Sequence, residues 1–509
     1  MPRLRAILWL VLLAVPHAAV AQEKADKVLR EAWYVTRTET GKLGYSHLLA
    51  REVQRNGQTL IHTILDDSVS YLRSGDPFHD SSHEETWETL DGRVVELLYT
   101  LTLSKKQKLR LHGKVRGKEL HLCVLDDQGQ PTDFRQIIPW EPATIGLYAQ
   151  ETYFERNRPK PGESYVLLQF TTSVNRVLPV TYHVKDWEKT SAPGGVQELL
   201  RVEISYPKSS YLTPHTAWLD ASGRIVKLQE EDSTMFGLMT RELSEQETAA
   251  APFEPTVRDK DAPVTVDKPI RVRWGRPLQL RLRVAREGDD DPGTLFAQDG
   301  RQRILAADNQ AVELLLRPRP PRLPEVVREF FVGRNPRVGS EYLESNFFIR
   351  SDDPLVKQYA QEALGEDGKD RSAMEQARRI KAWVRRKVKP NYEIAFATAD
   401  EVARCPEGDC SEMGMLAAAM ARSVGIPSRV VLGLVYDWDN HGFGGHLWTE
   451  MFVDGQWQTI DPTGVIDMLG AAYIKIAAYS LKDVLNPDEL VEIRRAFSGP
   501  MRVEVLESR

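Results

Sequence analysis

Asp454-Gly455 lies midway along a segment that opens with Gly445-His446-Leu447-Trp448-Thr449-Glu450 and closes with Gln456-Trp457-Gln458-Thr459-Ile460-Asp461-Pro462-Thr463. Asp-Gly between two such runs is a preferred two-residue hairpin turn, so Val453 pairs with Gln456. The numbers of facing residues then sum to 909, which sets His446 opposite Thr463 and Trp448 opposite Asp461. Side chains alternate along a strand. His446, Trp448 and Asp461 therefore share one face, with His446 and Asp461 as diagonal neighbours. One residue more or fewer in the turn would send the imidazole and the carboxylate to opposite faces.

A second constrained stretch begins at Cys410. Gly408-Asp409-Cys410-Ser411-Glu412 leads into Met413, Leu416, Ala417, Met420, Ala421 and Val424, which recur at the spacing of a buried helical stripe. Gly425 and then Pro427 stop it. Cys410 opens this helix, beside its unpaired N–H groups and the positive end of its dipole. That setting stabilises a thiolate and offers a backbone N–H to an oxyanion. Ser428 to Val435 is expected to be a buried strand. A thiol, an imidazole and a carboxylate in this order are the parts of an activated-thiol acyl-transfer site. Singly, each has a plainer reading as an inert thiol, a core histidine and a turn carboxylate; together they favour the site. Trp448, Glu450 and Trp457 are candidates for supporting or binding substrate, with packing and hairpin hydrogen bonds as the alternative. Asn391 and Tyr392 are candidate second oxyanion donors. Asp437, Asp439 and Asn440 lack the spacing of a calcium loop, so neither metal nor cofactor is expected.

Arranged in this way, Gly408-Asp409-Cys410, Arg422-x-x-Gly425-Ile426-Pro427-Ser428-Arg429, His446-x-Trp448-x-Glu450, Gly455-x-Trp457 and Asp461-Pro462-Thr463 resemble the transglutaminase-like superfamily of papain-type cysteine enzymes. The resemblance spans residues 350–485, and Leu469 to Ile476 is similar to the segment after the Asp in bacterial members. It implies Cys410 as nucleophile, His446 as general base and then acid, and Asp461 as the group that orients His446. It also implies an α+β fold for residues 350–500 and a protein or peptide substrate. The family pattern does not require Cys405. That residue is either a small buried hydrophobe or a partner able to lock Cys410 as a disulfide.

The remaining sequence constrains setting more than chemistry. Arg3 and Arg5, an apolar run from Ala6 to Val15 and Ala19-Val20-Ala21 read as a cleavable leader over residues 1–21, giving a periplasmic or secreted protein with no stable membrane insertion. Its removal takes the net charge from −6 to −8, a mild acidity that argues against a nucleic-acid partner. Three cysteines exclude a disulfide scaffold.

Turn signals between alternating runs make residues 22–150 and 151–248 two expected all-β antiparallel modules, and Asp91-Gly92-Arg93-Val94 resembles Ser222-Gly223-Arg224-Ile225. A linker follows from Gln246 to Pro263. Residues 264–317 are expected as a small β domain, and residues 318–349 as a proline-rich connector and lead-in. From Arg371 to Val388 the period becomes helical, with Ala373, Ala377, Ile380, Val384 and Val388 on one face and Pro390 as the stop. The functions held open are an amide-cleaving cysteine enzyme, a protein-glutamine transglutaminase and a non-catalytic envelope binding or scaffold protein.

Overall fold

The computed structural model describes residues 26–73, 76–103, 107–126, 128–232, 237–257, 264–270, 278–286, 291–317, 338–394, 397–463, 472–482, 486–497 and 501–509. The expected leader and most of the proline-rich connector lie outside the described residues. Among the described residues no helix is long and apolar enough to cross a membrane.

The protein is mostly β. Its N-terminal part is one 15-stranded sheet, made of antiparallel strands from Lys27 to Ser244 with short Thr256–Val257 added parallel to Gln58–Arg73. Each long strand pairs with the next in sequence, with one break between Pro131–Pro139 and Ser164–Thr171. The last, Gly237–Ser244, returns to the first, Lys27–Thr38, through pairs such as Trp33↔Ser244 and Arg37↔Thr240. A meander whose end comes back to its start is a curled sheet.

The segment between Pro139 and Ser164 sits at the break, where Ile145 bridges both Arg93 and Gln169. Helices Leu147–Glu151 and Tyr153–Asn157 follow. Buried Glu88 receives the N–H groups of Tyr148 (2.9 Å) and Ala149 (3.2 Å), giving orphan donors at the helix start a partner.

Residues 22–150 and 151–248 were expected as two modules; the structure runs them together in this single sheet. The two similar strings are nonetheless the same device. Gly92 donates to Thr89 O and Gly223 to Asp220 O, at 2.8 and 2.9 Å, and both glycines take positive φ, 89° and 84°. Each turn follows a one-residue register shift directly after a tryptophan, Trp87 or Trp218.

The C-terminal part centres on a 5-stranded antiparallel sheet containing Ser428–Asp437, Gly442–Val453, Gln456–Ile460 and Tyr473–Tyr479, with Val264–Thr265 at one edge. The hairpin register is the one expected: Val453↔Gln456 through Thr449↔Ile460. Asp454 and Gly455 take φ of 53° and 74°, both positive as this tight turn requires.

Helix Cys410–Ser423 packs on this sheet through Gly414, where an added Cβ would strike Leu447, while Thr449 Oγ1 donates to Gly414 O at 2.6 Å. Expected to bury one stripe, the helix is buried all round from Ser411 to Arg422. Helices Pro354–Leu364, Ala373–Lys387 and Ala399–Arg404 cover its other sides, and its alanines allow that close approach. Helix Ala373–Lys387 buries Ala377, Ile380, Trp383 and Val384 and ends before Pro390.

The expectation of a separate small β domain at 264–317 needs correction. Leu280–Arg286, Gln302–Ala307 and Ala311–Leu316 form a four-stranded sheet only with Met501–Ser508, which lies beyond the expected end of the last domain. Leu282, Val284, Leu314, Val503 and Val505 share one apolar core with Trp448 and Ile474. Alternation at 280–284 demands a partner on each edge, and one of those partners arrives more than 200 residues later.

Candidate active site

The loop that delivers Cys410 is fixed by hydrogen bonds and by a glycine. Asp409 is the N-cap: its Oδ1 accepts the Ser411 N–H at 2.9 Å, and Glu412 Oε2 accepts the Asp409 N–H at 2.9 Å, a reciprocal capping box. Gly408 has φ +151°, and a Cβ there would strike Glu412. Glu412 is fully buried and also accepts the Ala397 N–H at 3.0 Å. Burial, followed by the nearby Asp409 carboxylate, pushes it up to about 8. Sequence reading missed this residue; the Asp-x-x-Glu spacing before an apolar run was its signal.

The three residues singled out for chemistry come together. His446 Nε2 bonds Asp461 Oδ2 at 3.0 Å, and the imidazole also interacts with the side chain of Cys410 at the start of its helix. The side chains of His446 and Asp461 keep only 10% and 5% of their surface exposed. Burial pulls the imidazole down, but the Asp461 carboxylate and the neighbouring Cys410 outweigh it and raise His446 to about 10. Asp461 moves the other way. Burial favours its neutral form, yet His446, Thr463 and Tyr473 hold it down at about 2.

Four hydrogen bonds reach this carboxylate. Oδ1 accepts Thr463 N–H (3.0 Å) and Thr463 Oγ1 (2.7 Å), while Oδ2 accepts His446 and the Tyr473 hydroxyl (2.7 Å). Such a set holds an anion in a buried place. The arrangement supplies a thiol, an imidazolium that can move a proton, and a carboxylate that fixes the ring.

Of the supporting candidates, Trp448 belongs to this site. Fully buried, it stacks beneath His446 (ring centroids 6.0 Å apart, 22° between planes) and meets Tyr473 edge-on at 5.2 Å. Gly433, opposite His446 in the neighbouring strand, makes room for it, since a Cβ there would lie 2.8 Å from the indole.

Glu450 and Trp457 stand elsewhere. Glu450, 1% exposed, receives two bonds from Arg429 (2.7 and 2.9 Å) and one from Lys475, whose ammonium also meets Asp299. Arg429 lies over the Trp457 ring at 4.0 Å, and that ring packs on Phe452 and Tyr342. These two residues hold the sheet rather than the chemistry.

Asn391 lies beside the Cys410 loop, where its N–H bonds Gly408 O at 3.1 Å, but its side-chain amide donates to Glu407 at 3.0 Å. Tyr392 is 44% exposed. Cys405 caps helix Ala399–Arg404, and all three cysteines are unbridged. Asp437 closes a turn by accepting from Asp439 and Asn440. Arg422 is structural: buried and lowered to about 10 by burial, it donates to the carbonyls of Ser428, Glu344 and Ser480.

Comparison with known proteins places this geometry. Residues 357–462 match the model of the Transglutaminase-like superfamily. No curated protein matches. Among solved structures, a candidate cysteine protease from Cytophaga hutchinsonii is similar at 13% identity and a TM-score of 0.29, covering 46% of this chain and 86% of its own. A β-barrel-like protein of unknown function from Brucella abortus is similar at 11% identity and a TM-score of 0.31, covering 42% and 95%. A candidate protease from Parabacteroides distasonis is similar at 12% identity and a TM-score of 0.18, covering 72% and 68%. The stretch that brings Cys410, His446 and Asp461 together is a transglutaminase-like domain, carried behind a large antiparallel sheet.

Proposed function

We propose that the protein is an exported cysteine-dependent acyl-transfer enzyme, acting on peptide or isopeptide amides through a Cys410 thioester and passing the acyl group to water more readily than to an amine. The observation that carries this reading is the His446 imidazole, which bonds the Asp461 carboxylate through Nε2 at 3.0 Å and interacts with the side chain of Cys410. A helix bearing the thiol, packed on an antiparallel sheet bearing the imidazole and carboxylate, is in our reading the papain type of α+β domain.

Each step balances with these groups. The Cys410 thiolate attacks the amide carbonyl carbon, and the carbonyl π pair becomes an oxyanion. Cys410's own N–H, first in its helix, has no intrahelical acceptor, and we assign it as a donor to the oxyanion. Collapse of the adduct breaks the C–N bond, and the leaving amine takes the proton held by imidazolium His446. Water then attacks the thioester as His446 accepts its proton. The second adduct expels the Cys410 thiolate and releases the acid, leaving His446 as the imidazolium it became on taking the water's proton. Asp461 stays ionised throughout and keeps the ring turned.

The leader sequence supports an extracytoplasmic location, which the mass of the mature N-terminus would test. Incubation with a peptide library, with and without a primary amine, tests the chemistry. New termini that vanish in Cys410→Ala are expected. Amine incorporation without new termini would convert the reading to a transglutaminase, and unchanged activity in Cys410→Ala would end it.

A further inference from the structure

Beneath the pair formed by His446 and Asp461 lies a residue with no place yet in the chemistry. Tyr473 is buried, and its hydroxyl donates at 2.7 Å to Asp461 Oδ2, the same oxygen that takes His446 Nε2. Its ring is wedged between Trp448 at 5.2 Å and His446 at 6.2 Å. The strand that presents it, Tyr473–Tyr479, is irregular at this point: Gly433 pairs with Lys475 and Leu432 with Ala477, so Ile476 bulges out of the ladder.

The small β sheet supplies the bonds that the bulge forfeits. Gln302 acts as a stretch of strand, accepting the Lys475 N–H at 2.8 Å and donating to the Lys475 carbonyl at 2.6 Å. Ala297 N–H bonds the Ile476 carbonyl at 2.9 Å. Gln302 is 2% exposed, and a buried amide so fully used fixes one backbone geometry and no other.

We propose that Tyr473 is a positioning residue for the Asp461–His446 pair, held in place by Gln302 across the interface between the two sheets. The inference rests on the reading of Cys410, His446 and Asp461 as a catalytic unit. Without the hydroxyl, the carboxylate loses a donor from the oxygen that holds the ring, and the imidazolium beside Cys410 is less well supported. The charged group that faces Asp461 Oδ2 is His446.

The experiment is the pH profile of Cys410 alkylation by iodoacetamide, followed by intact mass, in the full chain. Tyr473→Phe keeps the ring and its packing. It should slow alkylation at neutral pH by about tenfold, a hydrogen bond's worth, and move the rise of rate with pH to higher pH. In an Asp461→Ala background Tyr473→Phe should add nothing, because its effect passes through that carboxylate. Gln302→Ala should shift the same rise in the same direction while leaving the hydroxyl in place, and it keeps the test open if the Phe variant does not fold.

A rise unmoved in folded Tyr473→Phe, or an equal added loss in the Asp461→Ala background, overturns the proposal and leaves Tyr473 a packing residue. Failure of the underlying reading looks different. In that case Cys410 of the unmodified protein is no faster to alkylate than Cys123 or Cys405.

Discussion

Cys410, His446 and Asp461 can be tested one side chain at a time. Burial pushes the Cys123 thiol up, whereas Cys410 faces an imidazolium and opens a helix. At pH 7 Cys410 should alkylate at least about tenfold faster than either other cysteine, as peptide mass mapping would show. The pair also marks the pH dependence of folding. His446, raised from 6.5 to about 10, contributes stability that is fully present below pH 6.5 and lost as the pH rises through about 10. Asp461, lowered from 3.8 to about 2, contributes stability present above 3.8 and lost as the pH falls through about 2. The gap in melting temperature between wild type and Asp461→Asn should therefore be widest between pH 4 and 6.5 and close toward pH 10. A gap that widens above pH 8 would contradict the assignment.

Secondary-structure elements divide into those the sequence announced and those it did not. The hairpin from His446 to Asp461 was legible because Asp454-Gly455 admits one turn and alternation does the rest. The Cys410 helix was legible from its apolar period and from Gly425 and Pro427 as its stop. Glu450 was not. Its place on the His446 face suggested the site, but only three-dimensional packing brings Arg429, Lys475 and Asp299 around it. Removing that carboxylate takes the carboxylate partner from Arg429 and one of two from Lys475, so Glu450→Ala should lose about 3–5 kcal/mol in denaturant unfolding. Gly433→Val, which drives a side chain into Trp448 and the Ile474 carbonyl, should lose a further 2–3 kcal/mol or so by the same measurement. Gln302 and Tyr473 were equally silent, because no local period encodes a side chain that completes a distant strand.

At the scale of the whole molecule, the large antiparallel sheet and the C-terminal part meet at several places among the described residues. Phe347 sets its edge on Phe134 at 5.5 Å, and Arg176 pairs with Asp488. The small sheet is different, since it shares a core with Trp448 and braces Tyr473. Residues 350–500 expressed alone should be insoluble, with the apolar face of their sheet bare, while residues 264–509 should give a soluble, cooperatively melting protein. Circular dichroism and size-exclusion chromatography decide between them.

Both the large sheet and the small one bring a late strand back to an early one: Gly237–Ser244 pairs with Lys27–Thr38, and Met501–Ser508 pairs with Leu280–Arg286. Lys27–Thr38 therefore waits for some two hundred residues with one edge bare, and Leu280–Arg286 waits as long for Met501–Ser508. Loop closure over such spans is slow, and an unpaired edge invites the wrong neighbour. This is a chain whose newborn form needs shelter, and a holdase that masks strand edges should raise its folded yield far more than one that merely dilutes it.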